Sequence, residues 1–366
     1  MNKENFLKNI RENEEQTNFK LVCLNQMDFA TKSGIPFLIG SNQYVLNDYS
    51  FNMYLQRIGL NCPALNEPEF RQENNSLVTD LVNQVLAGDK EVYSLLYYKE
   101  EANGKKVLAA HSKNYKPLTI STLIESLERK LNQEYEDVEF VNGFTNDEIT
   151  ICDFKVKSAA FNQAYKKIFN TSDLSLIIRF TTSNLGLSGA NLFPSVIAEG
   201  KVIPIAERAI SLKHEGEASL TKFENNIPDM FNQAEILPEK IEELSNISIQ
   251  YPTHCLINLA EKVGINAKDI APVAETCSFI FINTCVTGKD IYFLLSDVIE
   301  REKDTKKQND LIEKVGKAMR VLKEHSSELD VPKINWKRLK ISAEEGQEFI
   351  PIAQNQNDFK QIAFFN

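Results

Sequence analysis

The strongest constraint on the fold is a run of β-branched and aromatic residues at 177–182, which leads into a polar turn at Gly186. A second extended segment follows and ends at Lys213, His214 and Gly216. Turns at strand ends place side chains on a rigid scaffold, and functional centres are often built there. The sequence therefore predicts that a sheet centres on this region and that a site lies beside it.

Helical periodicity surrounds this β-rich region. Apolar residues recur at helical spacing between residues 119 and 135, and again after Asp304. Shorter patterns predict helices at 49–58, 77–86, 219–235 and 238–244, and strands at 92–98, 106–110, 138–141 and 149–156. The mixture predicts an α+β fold, with a central, mostly antiparallel sheet, packed helices and a helical C-terminal part.

The chain has 366 residues, of which 42% are hydrophobic and 25% charged. These values are typical of a folded globular protein that is long enough for two domains. No repeat or long linker interrupts the sequence. We expect an N-terminal α+β module at 1–150, a central sheet with a helical basic segment at 151–340 that is intergrown with it, and a C-terminal tail at 341–366.

The sequence argues against membrane, secreted and metal-binding classes. No apolar run approaches the roughly 20 residues that cross a bilayer, and the first residues lack the apolar core of a secretion signal. The six cysteines include no C-x-x-C pair, which favours buried, reduced thiols, and His254 and Cys255 are interpreted as core residues. We expect a cytoplasmic protein without membrane partner, cofactor or metal.

The net charge of -10 conceals two basic segments. Residues 151–218 carry 8 Lys and Arg against 6 Asp and Glu, and residues 303–340 carry 11 against 6. An acidic surface repels nucleic acid unless positive charge is concentrated locally. Any polyanion is therefore expected to bind at one of these segments.

The later basic segment contains an amphipathic helix followed by a basic cluster. Leu311, Val315, Met319 and Leu322 form an apolar stripe on the helix. The residues predicted to contact nucleic acid are Lys314, Lys317 and Arg320 on the helix, then Trp336, Lys337 and Arg338 in the cluster. The alternative is a solvated helix followed by a tryptophan in the core.

Other predicted binding residues surround the central turn. Tyr115 lies between two lysines, as in sites where a base stacks and its phosphate is paired, although a packed tyrosine is the alternative. The turn region contributes Arg179, Ser183, Asn184, Gly186 and His214. Ser183 and His214 also suggest a hydrolase, but no G-x-S-x-G elbow or orienting Asp accompanies them, so no catalytic residue is assigned. His214 is alternatively a structural histidine.

Four segments share a pattern with a known family. Residues 51–63 resemble its early element of a helix, an aliphatic residue, Arg, Gly and Pro, and residues 109–118 its Ser-x-x-Tyr-x-Pro step. Residues 182–186 resemble its polar turn after a central strand, and residues 213–216 its basic-His-x-Gly element. Over roughly residues 35–325 the chain thus resembles a family of phage- and plasmid-encoded proteins, known chiefly as a domain of unknown function. Residues 205–209 depart from its Cys-x-Asn-Gly-like step.

This resemblance implies an origin in a mobile element and an accessory role in the host cell. Together with the basic segments, it favours a non-enzymatic protein that binds nucleic acid, with single strands preferred, in replication, recombination or protection. The alternative is an acidic interaction protein that binds and inhibits a host defence or nucleic-acid-processing factor. An enzyme is the third hypothesis for the function, and the sequence leaves open whether the protein forms a homo-oligomer.

Overall fold

The computed structural model describes residues 2–88, 90–102, 104–169, 171, 174–205, 210–281 and 286–332. The α-helices are α1 (Lys3–Gln16), α2 (Asp48–Arg57), α3 (Pro68–Glu73), α4 (Asn75–Leu86), α5 (Ile120–Glu134), α6 (Ala159–Phe169), α7 (Leu220–Ser245), α8 (Pro252–Val263), α9 (Ala267–Ile280), α10 (Gly288–Leu295), α11 (Asp297–Arg301) and α12 (Thr305–Leu329). Short 3₁₀ helices lie at Leu24–Gln26 and Pro63–Asn66. Trp336, Lys337, Arg338, Cys285 and the expected tail at 341–366 lie outside the described residues.

The strands form two large sheets and one small pair. They are β1 (Thr17–Cys23), β2 (Asp28–Lys32), β3 (Ile35–Ile39), β4 (Gln43–Leu46), β5 (Tyr93–Glu101), β6 (Gly104–Ser112), β7 (Asp137–Thr145), β8 (Thr150–Lys157), β9 (Leu174–Thr182), β10 (Ala190–Ala198), β11 (Lys201–Pro204), β12 (Ile210–Leu212), β13 (Ser248–Ile249) and β14 (Val286–Thr287). The α+β class predicted from the sequence is confirmed.

The first sheet has the strand order β1-β5-β6-β4-β3-β2. Its neighbours pair antiparallel except for β4 and β6, which run parallel. The β5–β6 hairpin turns at Gly104, whose φ of 133° favours glycine. One face of this sheet packs on α2 and α4, and together they bury the small core, which lies within residues 24–110.

The second sheet has the order β11-β10-β9-β8-β7, with β12 also paired to β10. Its neighbours are antiparallel. All nine residues of β9 are buried, including the polar or charged Ser175, Arg179, Thr181 and Thr182. The prediction of a sheet centred on residues 177–182 is confirmed.

The large core joins this second sheet to helices from both ends of the chain. Phe6, Leu7 and Ile10 of α1 pack into it, as do α5 and the helices from α7 to α12. The first 150 residues therefore contribute to both cores.

Several predicted helices are confirmed by their buried faces. In α5, Leu123, Ile124, Leu127 and Leu131 are all buried, as the spacing predicts. The helices predicted at 49–58 and after Asp304 correspond to α2 and α12.

The prediction that Pro238 opens a separate helix is wrong. A single helix, α7, passes through both Pro228 and Pro238. Proline removes one hydrogen bond, but a helix can bend around it when packing holds both sides. Here Phe223 before Pro238 and Leu244 after it are both fully buried in the large core.

Three of the five described cysteines are buried as expected, whereas Cys23 and Cys62 are only partly buried. Cys152, Cys255 and Cys277 are buried, and burial raises the pKa of each thiol. His254 is buried beside Cys255, which confirms their assignment to the core. Within the described residues, no group of three or more His, Cys, Asp or Glu side chains is placed to hold a metal ion.

Candidate binding cleft

A polar turn at residues 183–189, here called the central turn, connects β9 to β10 and docks on the first sheet. The Leu185 side chain is buried against Tyr97, Leu108 and Ala109 of β5 and β6. The Tyr49 hydroxyl donates a hydrogen bond to the carbonyl oxygen of Leu185 at 3.0 Å. The central turn therefore joins the two sheets as well as two strands.

Three aromatic rings stack beside the central turn. The rings of His111 and Tyr115 have centroids 3.7 Å apart and planes 10° apart, and the rings of Tyr115 and His214 are 5.2 Å and 3° apart. All three side chains are buried. The Tyr115 ring thus stacks with both imidazoles. That a nucleic-acid base stacks on Tyr115 stays a prediction. In the structure, the Tyr115 side chain packs against the central turn.

The hydrogen bonds of the two imidazoles identify their neutral tautomers. His214 Nδ1 lies 3.2 Å from the carbonyl oxygen of Lys116, which can only accept, so Nδ1 carries the proton. His214 Nε2 then accepts from the Thr182 hydroxyl at 3.1 Å. His111 Nε2 donates in the same way to the carbonyl oxygen of Asn184 at 2.8 Å.

Burial lowers the pKa of both histidines. The pKa of His111 falls to about 4, because desolvation outweighs its hydrogen bond to Asn184, and the pKa of His214 also falls. Both rings are therefore neutral at neutral pH. Since both ring nitrogens of His214 are occupied by Thr182 and Lys116, His214 does not activate Ser183 in this arrangement.

Two other predicted residues of the central region, Ser183 and Arg179, are held by protein partners. Ser183 Oγ donates to the carbonyl oxygen of Glu148 and accepts from the backbone N–H of Leu185 at 3.2 Å. Arg179 forms a bidentate ion pair with Asp153, with both N–O distances at 2.7 Å. These contacts hold β9 and its turn in place, and the binding roles of Ser183 and Arg179 stay predictions.

Gly186 shows why the central turn needs glycine. Its φ is 80°, and a Cβ atom there would lie 3.3 Å from His111 Cε1. A larger residue would be strained and would press on the stacked imidazole. Gly186 therefore permits the close approach between the turn and the stack.

The lysines of α12 are largely neutralised within the protein. Lys314 pairs with Asp310 at 2.6 Å and Lys317 pairs with Glu313 at 3.0 Å, one helical turn earlier in each case. Lys306 and Lys323, on the same helix, pair with Glu148 and Glu243. The sequence predicted a cationic face here, and the structure places a carboxylate against each of these four lysines.

A cleft of about 680 Å³ opens between the central turn, the aromatic stack and the first part of α12. Its wall is polar in many places, with hydroxyl groups from Ser112, Ser188 and Ser211. Met53 and Leu187 add apolar surface, and the Leu187 side chain is 48% exposed. Of the predicted binding residues, Tyr115, Gly186 and His214 line this cleft.

Four cations, here called the cationic rim, lie at or next to the cleft: Arg57, Lys113, Lys116 and Lys213. Arg57 and Lys213 line it, while Lys113 and Lys116 flank Tyr115. All four are exposed, and none has a carboxylate partner among the described residues.

Two backbone segments bring the three lysines of the rim together. Tyr115 and Glu215 form an isolated antiparallel bridge, and the N–H of Lys116 donates to the carbonyl oxygen of His214 at 2.8 Å. Sequence reasoning did not place Arg57 or Lys213 among the site residues. Their positions at the cleft depend on contacts between segments that are distant in the sequence. Lys113 and Lys116, on either side of Tyr115, already indicated part of the rim.

Comparison of the chain with family models, with curated proteins and with solved structures finds no match. The resemblance to phage- and plasmid-encoded proteins accordingly stays an expectation. In the described part of the chain, no helix has the length and apolar character needed to span a membrane.

Proposed function

We propose that this protein binds nucleic acid without chemical conversion and that a single strand follows the cationic rim into the cleft. The observation that supports the proposal is that Arg57 and Lys213 line the cleft, that Lys113 and Lys116 flank its wall residue Tyr115, and that none of these four cations pairs with a carboxylate in the described chain. A role in the replication, recombination or protection of a phage or plasmid is the corresponding cellular proposal.

The charge distribution favours the rim over α12 as the place where phosphates bind. The whole chain is acidic, so a polyanion is attracted only where positive charge is locally uncompensated. Four lysines of α12, at positions 306, 314, 317 and 323, already face carboxylates, and a phosphate would have to displace these carboxylates. At the rim, a phosphate gains attraction without breaking an ion pair.

The shape of the site favours single strands over duplexes. A concave cleft of this volume can accept an unstacked nucleotide, whereas the bases of a duplex are enclosed by its backbone. Met53 and Leu187 offer apolar surface to a base inside the cleft, next to cations that hold the phosphates. Proteins that bind single strands commonly combine a cationic groove with a surface on which the bases pack, and that surface is usually aromatic, whereas here it is aliphatic.

Fluorescence anisotropy with labelled single- and double-stranded oligonucleotides at several salt concentrations tests the proposal. A variant with Arg57→Gln, Lys113→Gln, Lys116→Gln and Lys213→Gln should bind single strands more weakly. The slope of log affinity against log salt should also become shallower by about 3, because each lost phosphate contact removes about 0.7.

The matched control removes the same charge from α12 through Lys314→Gln, Lys317→Gln, Arg320→Gln and Lys323→Gln, none of which lines the cleft. The salt slope should change much less in this control. If the α12 variant has the shallower salt slope and the rim variant keeps the slope of the natural chain, binding lies on α12 and the rim is not the site. If the natural chain binds no oligonucleotide at low salt, the proposal is wrong and an acidic protein that inhibits a host factor becomes the better hypothesis.

A further inference from the structure

The first sheet exposes apolar side chains on one face of β2, β3 and β4. Side chains alternate along a strand, and one set, which includes Phe29, is buried in the small core. The opposite set is here called the outer face, and its apolar members are Ala30, Ile35, Phe37, Ile39 and Val45. Ile35 is 48% exposed and Ile39 is 41% exposed. Phe37 and Val45 are half-buried, and both lie outside the apolar clusters of the described residues.

The register of the strands arranges these side chains around one row. Ala30 pairs with Phe37, and Phe37 pairs with Val45, so three apolar side chains stand side by side across the strands. Ile35 and Ile39 lie two residues before and two residues after Phe37 on β3, and therefore on the same face. The outer face is thus a continuous apolar surface with the row at its centre.

Two charges of opposite sign lie at opposite ends of the outer face on β2. Asp28 is paired with Ile39, and Lys32 is paired with Ile35. Both charged side chains are exposed, and neither has a charged partner among the described residues. A two-fold rotation about an axis along the row exchanges the two ends of the face. It places Asp28 of one copy opposite Lys32 of the other, and Ile35 opposite Ile39.

The backbone edge of β2 is already occupied by side chains of α4. The Asn83 side chain accepts a hydrogen bond from the N–H of Phe29 at 3.1 Å and donates one to its carbonyl oxygen at 2.9 Å. The Thr79 hydroxyl accepts from the N–H of Thr31 at 3.2 Å. An added strand would have to displace these side chains. A partner therefore meets this part of the sheet through the outer face.

We propose that the outer face binds a second copy of this chain, related by a two-fold axis along the row. The face is complementary to itself under that rotation, because apolar residues meet apolar residues and each charge meets its opposite. Lys106 of β6 is paired with Val45 at the end of the row, and it lies 3.8 Å from a carboxylate oxygen of Glu101. Its charge is thus compensated where the apolar surface ends.

The size of the outer face sets the expected strength of the dimer. Three strands about 4.8 Å apart and residues about 3.3 Å apart give a surface of roughly 10 by 13 Å between backbone positions. Interfaces that bury less than about 1,200 Å² belong to weak, reversible complexes. The expected dissociation constant is therefore on the order of 10–100 µM.

Sedimentation velocity of the nuclease-treated chain at low salt, from well below to well above this concentration range, tests the proposal. The natural chain should shift from monomer to dimer as its concentration rises. Asp28→Lys and Lys32→Asp should each weaken the dimer at least about fivefold, because each places like charges opposite each other. The double variant restores opposite charges, so its dissociation constant should return to within about twofold of the natural value.

Ile39→Lys tests the apolar part of the outer face. It should keep the chain monomeric over the whole concentration range, because a charge would be buried without a partner. Val141→Lys is the matched control, since Val141 is 49% exposed on a different strand, β7, and this variant should dimerise like the natural chain. All the substituted side chains are exposed, so the melting temperature should stay close to that of the natural chain.

Three outcomes would overturn the proposal. A natural chain that stays monomeric at the highest concentration would leave the outer face to a different partner. A dimer that Ile39→Lys does not weaken would show that the copies meet elsewhere. A double charge variant that dimerises no better than the single variants would show that Asp28 and Lys32 do not face each other across the axis. Each outcome is read without nucleic acid, so the inference is independent of the proposed function.

Discussion

At the level of single residues, the two buried imidazoles around Tyr115 make the stability of the fold depend on pH. The pKa of His111 is about 4 in the folded chain, against an ordinary value of 6.5. Below about pH 6.5 the unfolded chain takes up a proton that the folded chain does not. The stability due to this residue is therefore complete above pH 6.5 and decreases by up to about 3 kcal/mol as the pH falls to about 4.

Urea unfolding at a series of pH values checks this expectation. His111→Gln keeps an N–H donor for the carbonyl oxygen of Asn184 but cannot titrate, so its stability should fall less steeply between about pH 6.5 and pH 4. His325→Gln is the control, because His325 lies on α12, outside the aromatic stack, and its side chain is only partly buried. Equal pH dependence in His111→Gln and the natural chain would contradict the assignment.

At the level of elements, Gly189 controls how closely the central turn approaches β12. A Cβ atom at this position would lie 2.6 Å from the carbonyl oxygen of Leu212, which is a backbone atom and cannot move aside alone. The neighbouring pair Ala190 and Leu212 belongs to the β10–β12 ladder. Gly189→Ala should therefore destabilise the fold by about 1–3 kcal/mol.

Thermal unfolding of Gly189→Ala measures this loss, and Gly88→Ala is the matched control. At Gly88 a Cβ atom would meet its nearest neighbour at an ordinary 3.5 Å, so little change in melting temperature is expected. The Gly189 variant should also bind oligonucleotides less well, since Lys213 follows β12 directly. An unchanged melting temperature for Gly189→Ala would show that the turn can relax.

Some secondary-structure elements could be predicted from the sequence, and others could not. The helix α5 and the strands β5 and β6 were predicted because their patterns are local and strong. The apolar run at 291–295 is too short for its length to distinguish a helix from a strand. In the structure it is helical and belongs to α10. The parallel pairing of β4 with β6 depends on contacts between segments some 60 residues apart, which periodicity does not encode.

The site was predicted less completely than the fold, for two physical reasons. The cationic rim joins residue 57 to residues 113–116 and 213, and these segments meet only through tertiary packing. The basic face of α12 was predicted from lysine positions alone. The spacing of Asp310 before Lys314, and of Glu313 before Lys317, already indicates i,i+4 ion pairs that reduce its charge.

At the level of the whole molecule, the central turn couples the two cores. Leu185 is 7% exposed and belongs to a small apolar cluster with Tyr97 and Leu108, between the sheets. The carbonyl oxygens of Asn184 and Leu185 accept hydrogen bonds from His111 and Tyr49. Since Leu185 comes from the second sheet and the other side chains come from the first part of the chain, the cluster should make the cores unfold together.

Leu185→Ala tests this coupling, with Leu187→Ala as the control in the same turn. Leu185→Ala should lower the free energy of unfolding by about 2–5 kcal/mol, whereas the exposed Leu187 should contribute little. In hydrogen exchange, amides of β5 and β9 should open with similar free energies in the natural chain and separate in Leu185→Ala. If β5 and β9 already exchange independently in the natural chain, or if Leu187→Ala costs as much as Leu185→Ala, the central turn is not the element that couples the cores.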